Sequence, residues 1–184
     1  MYSRNLNDYI DRVLITKEQI SEEVARLGRQ ISKDYEGKDL MLVGVLKGGS
    51  VFMSDLIRTI TIPLELDFIS VSSYGASTKS SGVVRLIKDV DKAVAGKHVL
   101  IVEDIVDTGL TLSYIKKMFK NRNPESVKIC TAFDKPSRRK VDIVPEYKGL
   151  EIPDEYVVGY GLDYDGLLRN IPDLCVLKRE IYEK

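Results

Sequence analysis

Acidic residues and a glycine turn are concentrated in one short stretch of the chain, between an apolar run and an amphipathic run. The stretch 99–112 reads VLIVEDIVDTGLTL, with Glu103 next to Asp104, and Asp107 two residues before Gly109. Adjacent carboxylates can accept hydrogen bonds from sugar hydroxyls or supply the oxygen ligands that Mg²⁺ prefers. A glycine lets the backbone turn tightly and approach a ligand closely.

The residues after this turn read LTLSYIKKMF, which is the pattern of an amphipathic helix. Amide groups at the N-terminus of a helix favour a phosphate, and Thr108 and Thr111 can add hydroxyl donors. Phosphate and diol recognition are therefore predicted to lie within one loop. The stretch is neither a Walker loop nor a GxGxxG motif. Taken alone, its Asp-Thr-Gly could be a solvated turn that caps a helix.

Strands and helices must alternate to position such a loop. Near-continuous apolar runs predict strands buried on both faces, at Leu40–Leu46, Leu64–Ser73, His98–Asp104 and Ser126–Asp134. Helical periodicity predicts helices at Lys17–Tyr35, Val51–Ile60 and Thr111–Phe119. This alternation predicts a parallel sheet covered on both faces. Past Lys135 the chain is punctuated by proline, with short strands predicted at Tyr156–Gly161 and Leu174–Lys178.

The composition fits one compact domain over residues 1–184, with 43% hydrophobic residues. Lys and Arg number 28 and Asp and Glu number 28, so no net charge favours nucleic acid or an anionic membrane. Cys130 and Cys175 are predicted to be buried, reduced thiols. The polar N-terminal stretch and the absence of a long apolar run predict a cytoplasmic protein.

The whole stretch 99–112 resembles the signature with which type I phosphoribosyltransferases bind phosphoribosyl pyrophosphate (PRPP). The resemblance implies an α/β fold, a mostly parallel twisted sheet flanked by helices. It also implies a small base-binding hood lobe, formed by the N-terminal segment and about 136–184. Glu103 and Asp104 would hold the ribose hydroxyls and help position Mg²⁺. Asp107 would be the catalytic acid or base facing N7 of a purine, and the 5-phosphate would be bound by residues Asp107, Thr108, Gly109, Leu110 and Thr111.

Two further motifs extend the resemblance. The motif LKGG runs from Leu46, the last residue of the first predicted strand, through Lys47 and Gly48 to Gly49. It looks like the pyrophosphate loop of hypoxanthine-guanine phosphoribosyltransferases. That likeness implies a non-proline cis peptide between Leu46 and Lys47, although an ordinary glycine-rich turn is the alternative. Ser73 and Tyr74 open a Ser/Gly-rich loop similar to the family's catalytic lid. Such a loop taken alone is more often plain surface.

The base-reading residues come later in the chain. Lys135 matches the family's purine-reading lysine, whose ammonium donates to the O6 carbonyl of a 6-oxopurine. The stretch 151–170 resembles the family's base-binding segment, in which Tyr156 would stack on the purine and the Val157 backbone would meet the base edge. Asp163 would ligate Mg²⁺ on the pyrophosphate side, and Arg169 would contact pyrophosphate. The alternatives are a solvated lysine, a half-buried strand tyrosine and an aspartate that forms a turn.

The resemblance implies purine salvage. The 5-phosphoribosyl group of PRPP would pass to N9 of hypoxanthine, and of guanine, giving the nucleotide and pyrophosphate, with Mg²⁺ as cofactor. A homodimer or homotetramer is implied, without nucleic-acid or membrane partners. Two alternatives stay open: a xanthine-preferring enzyme of the same class, and a PRPP-sensing regulator that binds nucleic acid.

Overall fold

The computed structural model describes residues 5–73 and 84–183, so the predicted lid residue Tyr74 and the loop that it opens lie outside the described residues. The strands are β1 (Ile10–Ile15), β2 (Leu40–Leu46), β3 (Glu65–Ser73), β4 (Val84–Lys88), β5 (His98–Val106), β6 (Ser126–Asp134), β7 (Tyr147–Glu151), β8 (Val157–Val158) and β9 (Leu174–Leu177). The helices are α1 (Lys17–Asp34), α2 (Gly49–Leu56), α3 (Leu110–Lys120) and α4 (Arg179–Tyr182). No helix within the described ranges is long and apolar enough to cross a membrane.

The main sheet has six strands in the order β4-β3-β2-β5-β6-β7. All neighbouring strands are parallel except β3 and β4. The predicted α/β fold with a mostly parallel sheet is confirmed. Because parallel strands run in one direction, β2, β5 and β6 all present their carboxyl ends, and the loops that follow, at the same edge of the sheet.

The apolar run of β2 has the pattern of a strand buried on both faces. Leu40 and Leu42 belong to a core shared with α1 and α2, whereas Met41 and Val43 belong to a second core shared with α3. Successive strand side chains point to opposite faces, so a continuous apolar run serves both cores. This two-sided burial fixes the position of the strand end that carries Leu46.

A separate three-stranded antiparallel sheet has the order β1-β9-β8. It pairs the N-terminal part of the chain with the C-terminal part, for example Val13 with Cys175. A small core that includes Tyr9, Val158, Leu168 and Leu177 packs on it. The two ends of the chain therefore form one unit beside the main sheet.

The element bounds differ from the predicted ones at several places. β5 continues past Asp104 to Val106, since pairing with β6 extends to the Val106–Asp134 pair. α2 ends at Leu56, where the Thr59 hydroxyl donates to the Leu56 carbonyl at 2.7 Å and satisfies a group at the helix end. The strands β1, β4 and β7 were not predicted, because each is short and its apolar residues do not alternate regularly with polar ones.

Both cysteines are free and buried, as predicted. Cys130 lies in β6 and Cys175 in β9. Burial raises the pKa of each thiol, that of Cys175 to about 11. Both side chains are therefore protonated packing groups at neutral pH.

Candidate functional site

The predicted phosphate loop lies between β5 and α3. Gly109 is the N-cap of α3 with φ of 79°, a left-handed conformation that side chains disfavour. A Cβ placed there would lie 2.4 Å from Cγ2 of Ile143. Position 109 therefore requires glycine for two reasons: its left-handed backbone conformation and the lack of room for a Cβ atom. Thr108 Oγ1 accepts from the Leu110 amide at 3.5 Å, so the threonine lies at the first turn of the helix.

Glu103 and Asp104 lie inside β5, just before this loop. Burial raises the pKa of both carboxyls. The negative charge of Asp104 raises the pKa of Glu103 further. The positive charge of Arg169 acts in the opposite direction on the pKa of Asp104. The backbone amide of Ile105 donates to Asp104 Oδ1 at 2.7 Å. Asp104 is buried and Glu103 is partly buried, so two adjacent carboxyls with little solvation form a costly arrangement that a cation would relieve.

The donor set of this pair fits Mg²⁺. Carboxylate oxygens are its preferred protein ligands, and Mg²⁺ is commonly held by one or two carboxylates together with substrate phosphates. Across residues 5–73 and 84–183, no group of three or more His, Cys, Asp or Glu side chains converges to hold a metal by itself. Glu103 and Asp104 therefore suit a metal that arrives with a phosphate ligand.

The predicted pyrophosphate loop follows β2 and packs against the acidic pair. The peptide bond between Leu46 and Lys47 is cis, as the resemblance implied. A Cβ on Gly48 would lie 1.6 Å from Asp104 Oδ2 and 3.1 Å from the carbonyl oxygen of Gly161. A larger residue at position 48 would collide with the Asp104 carboxylate, so this loop can lie against Asp104 in this way only with a glycine there.

Asp163 and Arg169 form an ion pair, with Nη2 2.7 Å from Oδ1. Arg169 Nη1 also donates to the carbonyl of Gly161 at 2.6 Å. Asp163 Oδ2 accepts from the Gly166 amide at 2.8 Å, so this aspartate does form the turn that was the alternative interpretation. Its pairing with Arg169 nevertheless places both residues near the Gly48 loop, through Gly161.

A cavity of about 1180 Å³ opens between the main sheet edge and the three-stranded sheet. Its wall includes several residues predicted from the sequence, namely Asp107, Lys135, Tyr156, Val157 and Asp163. Arg169 lies instead on a second cavity of about 540 Å³. Nothing is described of the Ser73 side chain, although its backbone ends β3 at the same sheet edge.

Lys135 is held at the cavity wall and is not a solvated surface lysine. The residue is 7% exposed. Its Nζ donates to the Glu155 carbonyl at 2.8 Å and lies 4.0 Å from Asp154 Oδ1. An ammonium has three donors, so donors remain for a ligand in the cavity.

Tyr156 is 40% exposed and belongs to a cluster of three tyrosines. Its ring stacks on that of Tyr182, with centroids 4.9 Å apart and an interplanar angle of 25°. The edge of Tyr164 meets it at 5.9 Å, and the Tyr164 hydroxyl donates to the Ile181 carbonyl at 2.9 Å. One face of Tyr156 is thus covered by Tyr182, and the C-terminal helix is held in place beside it.

The cavity wall also contains residues that the sequence analysis did not select, among them Ile105, Arg138 and Tyr182. Ile105 stands between the acids of the PRPP-like motif, so its position could have been noticed. Arg138 lies 3.3 Å from Asp107 Oδ1 through its Nε. Tyr182 reaches the site only because β9 pairs with β8, which local sequence patterns do not reveal.

Comparison with known proteins agrees with this geometry. The profile of the phosphoribosyl transferase domain matches residues 14–165. The chain is 50% identical over 184 residues to the hypoxanthine-guanine phosphoribosyltransferase of Lactococcus lactis, covering 100% of both chains. It is 51% identical over 174 residues to that of Bacillus subtilis, covering 95% of this chain and 97% of the relative. The match therefore spans the main sheet and the three-stranded sheet together.

A solved structure gives the same result. The crystal structure of a hypoxanthine phosphoribosyltransferase from Staphylococcus aureus has a TM-score of 0.94 and 47% sequence identity, over 99% of this chain and 100% of that chain. The sequence profile, the full-length relatives and the structural neighbour all agree. The chain belongs to the phosphoribosyltransferase family of enzymes, within its hypoxanthine-guanine phosphoribosyltransferase group.

Proposed function

We propose that this protein serves purine salvage by transferring the 5-phosphoribosyl group of PRPP to N9 of hypoxanthine and guanine. The observation that carries the proposal is the meeting of three loops at one sheet edge. The loops follow β2, β5 and β6, which end at Leu46, Val106 and Asp134. Each carries one predicted function: pyrophosphate, ribose 5-phosphate and base.

The phosphate-bearing half of the substrate is assigned to the first two loops. The turn from Asp107 to Thr111, at the N-terminus of α3, suits the 5-phosphate. Gly48 and Arg169 lie on either side of Gly161 and suit the pyrophosphate. Glu103 and Asp104 would bind the ribose hydroxyls and hold Mg²⁺, which when bound neutralises phosphate charge as it develops.

The reaction breaks the bond between the ribose anomeric carbon and the pyrophosphate oxygen, and forms the bond from that carbon to N9. Positive charge develops on the ribose in between, as in other glycosyl transfers. The purine loses a proton, and Asp107 is assigned to accept it at N7. The Asp107 carboxylate suits this role because it faces the same cavity as Lys135 and Tyr156.

The base is assigned to Lys135 after β6, and to Tyr156 and Val157 at the three-stranded sheet, which would act as the hood lobe. Arg12 of β1 donates through Nη2 to both carboxylate oxygens of Glu155 at 2.6 Å, and the Glu155 carbonyl in turn accepts from Lys135. The N-terminal strand therefore supports the residue that would read O6 of the base. A 6-oxopurine accepts a hydrogen bond at that position, whereas the 6-amino group of adenine is a donor.

Steady-state kinetics with PRPP and four purines test this proposal. We expect adenine to react with kcat/KM lower than that of hypoxanthine by about 100-fold or more, because a site built to hydrogen-bond a substrate group strongly rejects an analogue that leaves its buried donor unpaired. Replacing Lys135 by Met should reduce this preference. The matched control is Lys120→Met, at the exposed end of α3. Equal kcat/KM for adenine and hypoxanthine would contradict the role of Lys135, and absence of transfer to any purine would contradict the function.

The tyrosine cluster leads to a smaller effect. Tyr182→Ala should raise KM for hypoxanthine by about 3–10-fold, because stacked aromatic pairs contribute about 0.5–1.5 kcal/mol and Tyr182 orients the Tyr156 ring. Tyr182→Phe should behave like the unmodified protein. KM for PRPP should stay unchanged in both variants. An equal rise in both KM values would indicate general damage to the fold instead.

The alternatives are less well supported. The names of the full-length relatives refer to hypoxanthine and guanine, not xanthine, and the four-purine assay ranks these bases directly. A nucleic-acid-binding regulator has no support in the balanced charge of the chain. We also propose a cytoplasmic homodimer or homotetramer, which sedimentation can test.

A further inference from the structure

The segment that follows β6 packs closely on the predicted phosphate loop. The Lys135 amide donates to the Val106 carbonyl at 2.9 Å, and the Lys140 amide donates to the Thr108 carbonyl at 3.0 Å. Gly109 lies against the side chains of this segment, since a Cβ there would meet Ile143 at 2.4 Å. The loop that carries Asp107 is therefore supported from outside by a single neighbouring segment.

Arg139 makes the most extensive side-chain contact in this region. Its Nη1 donates to the Val106 carbonyl at 2.9 Å and to the Asp107 carbonyl at 2.5 Å. Its Nη2 pairs with the carboxylate of Asp134 at the end of β6, and the two side chains are 16% and 5% exposed. A planar guanidinium with several fixed donors can satisfy these groups together, which an ammonium cannot do in the same geometry.

The carboxylate of Asp107 has less support of its own. Within residues 5–73 and 84–183, its carboxylate pairs with Nε of Arg138 at 3.3 Å, and the side chains of Asp107 and Arg138 are 40% and 49% exposed. An exposed pair of this kind holds a side chain only weakly. The position of the carboxylate is therefore set mainly by the backbone that carries it, at the two carbonyls that Arg139 binds.

We propose that Arg139, held by Asp134, is a positioning residue that fixes the backbone at Val106 and Asp107 and thereby places the Asp107 carboxylate against the base. This inference rests on the proposed function, because it assigns the residue a part in the same reaction. Arg139 touches neither reacting group directly. It acts through Asp107, and a misplacement of about 1 Å at a reacting group can cost roughly 100-fold in rate.

The test is Arg139→Lys, which keeps the charge opposite Asp134 but loses the guanidinium fork. We expect kcat to fall by about 10–100-fold while KM for hypoxanthine stays close to that of the unmodified protein and the variant remains folded at the assay temperature. Hydrogen–deuterium exchange at residues 107–109 should become faster, a readout that needs no turnover. Asp134→Asn removes the charge that pairs with the guanidinium but leaves Arg139 in place, so it should give a smaller fall in kcat.

Arg122→Lys is the matched control. Arg122 also binds an aspartate with both terminal nitrogens, each 2.8 Å from Asp89, but it follows α3 and lies away from the cavity. We expect its kcat to be unchanged. The decisive measurement is the double variant: if Arg139 acts through Asp107, Arg139→Lys should have little further effect on kcat in an Asp107→Asn background.

Unchanged kcat and exchange in Arg139→Lys would overturn the inference. So would a full additional loss in the double variant, or a fall in melting temperature that accounts for the lost activity, as for a purely structural ion pair. An unmodified protein that transfers no phosphoribosyl group would instead contradict the proposed function, and the exchange measurement would still report on the loop.

Discussion

Replacing Asp107 by Asn should lower kcat by roughly 10²–10⁴-fold, the usual scale for loss of a general acid or base, with little change in PRPP affinity. Asn keeps the size of the side chain and can still accept a hydrogen bond, but it cannot take up a proton. The carboxylate faces the cavity that also contains Lys135 and Tyr156. Rapid-quench turnover and calorimetric titration with PRPP measure the two quantities separately.

The neighbouring acids provide the contrast. Glu103→Gln and Asp104→Asn should weaken PRPP binding at least as much as they slow turnover, because sugar and metal contacts exist in the ground state as well. If Asp107→Asn keeps near-normal kcat but binds PRPP poorly, Asp107 is a ligand-binding residue and its catalytic assignment is wrong.

Removal of divalent metal should have the other large effect. In excess chelator we expect turnover to fall by at least about 10³-fold, since a bound metal supplies several kcal/mol of charge stabilisation to phosphate chemistry. The basis is the adjacent pair of the partly buried Glu103 and the buried Asp104, whose pKa values are raised by burial. Adding Mg²⁺ back in excess of the chelator should restore activity, and adding KCl at equal ionic strength should not.

A binding measurement separates the metal's role from general damage. PRPP titrated by calorimetry should bind more weakly without Mg²⁺, while the melting temperature of the free protein should change little. Lys135 and Tyr156, which are proposed to bind hypoxanthine, line the cavity, whereas Glu103 and Asp104 are not among its lining residues. We therefore expect hypoxanthine binding to depend less on the metal than PRPP binding does. Full turnover in excess chelator would contradict the assignment of Glu103 and Asp104 to the metal.

The main sheet could be predicted because its signals are local and strong. The strands β2, β5 and β6 are long apolar runs that serve a core on each face, and such runs carry their own evidence. The end of β5 could not be predicted in the same way. Its last residues pair with β6 although Glu103 and Asp104 interrupt the apolar pattern, and only the neighbouring strand makes that extension favourable.

The candidate site also has one part that local sequence signals predict and one part that they do not. The stretch 99–112 and the glycines at 48 and 109 could be read from the chain, because phosphate binding needs a small set of residue types close together in sequence. The other side of the site could not be read from the chain. Tyr182 meets Tyr156, and Arg12 meets Glu155, through contacts between distant parts of the chain.

Arg139 illustrates why such contacts stay hidden. In the sequence it is the middle one of three adjacent basic residues, from Arg138 to Lys140, and a basic run in a loop is ordinarily a solvated surface feature. In the fold it lies between Asp134 and the carbonyls of Val106 and Asp107, since the parallel pairing of β5 with β6 brings both strand ends to the same edge. Residue types near one another along the chain specify what the loop can bind. The pairing of strands, which depends on burial across the whole sheet, specifies where each group points.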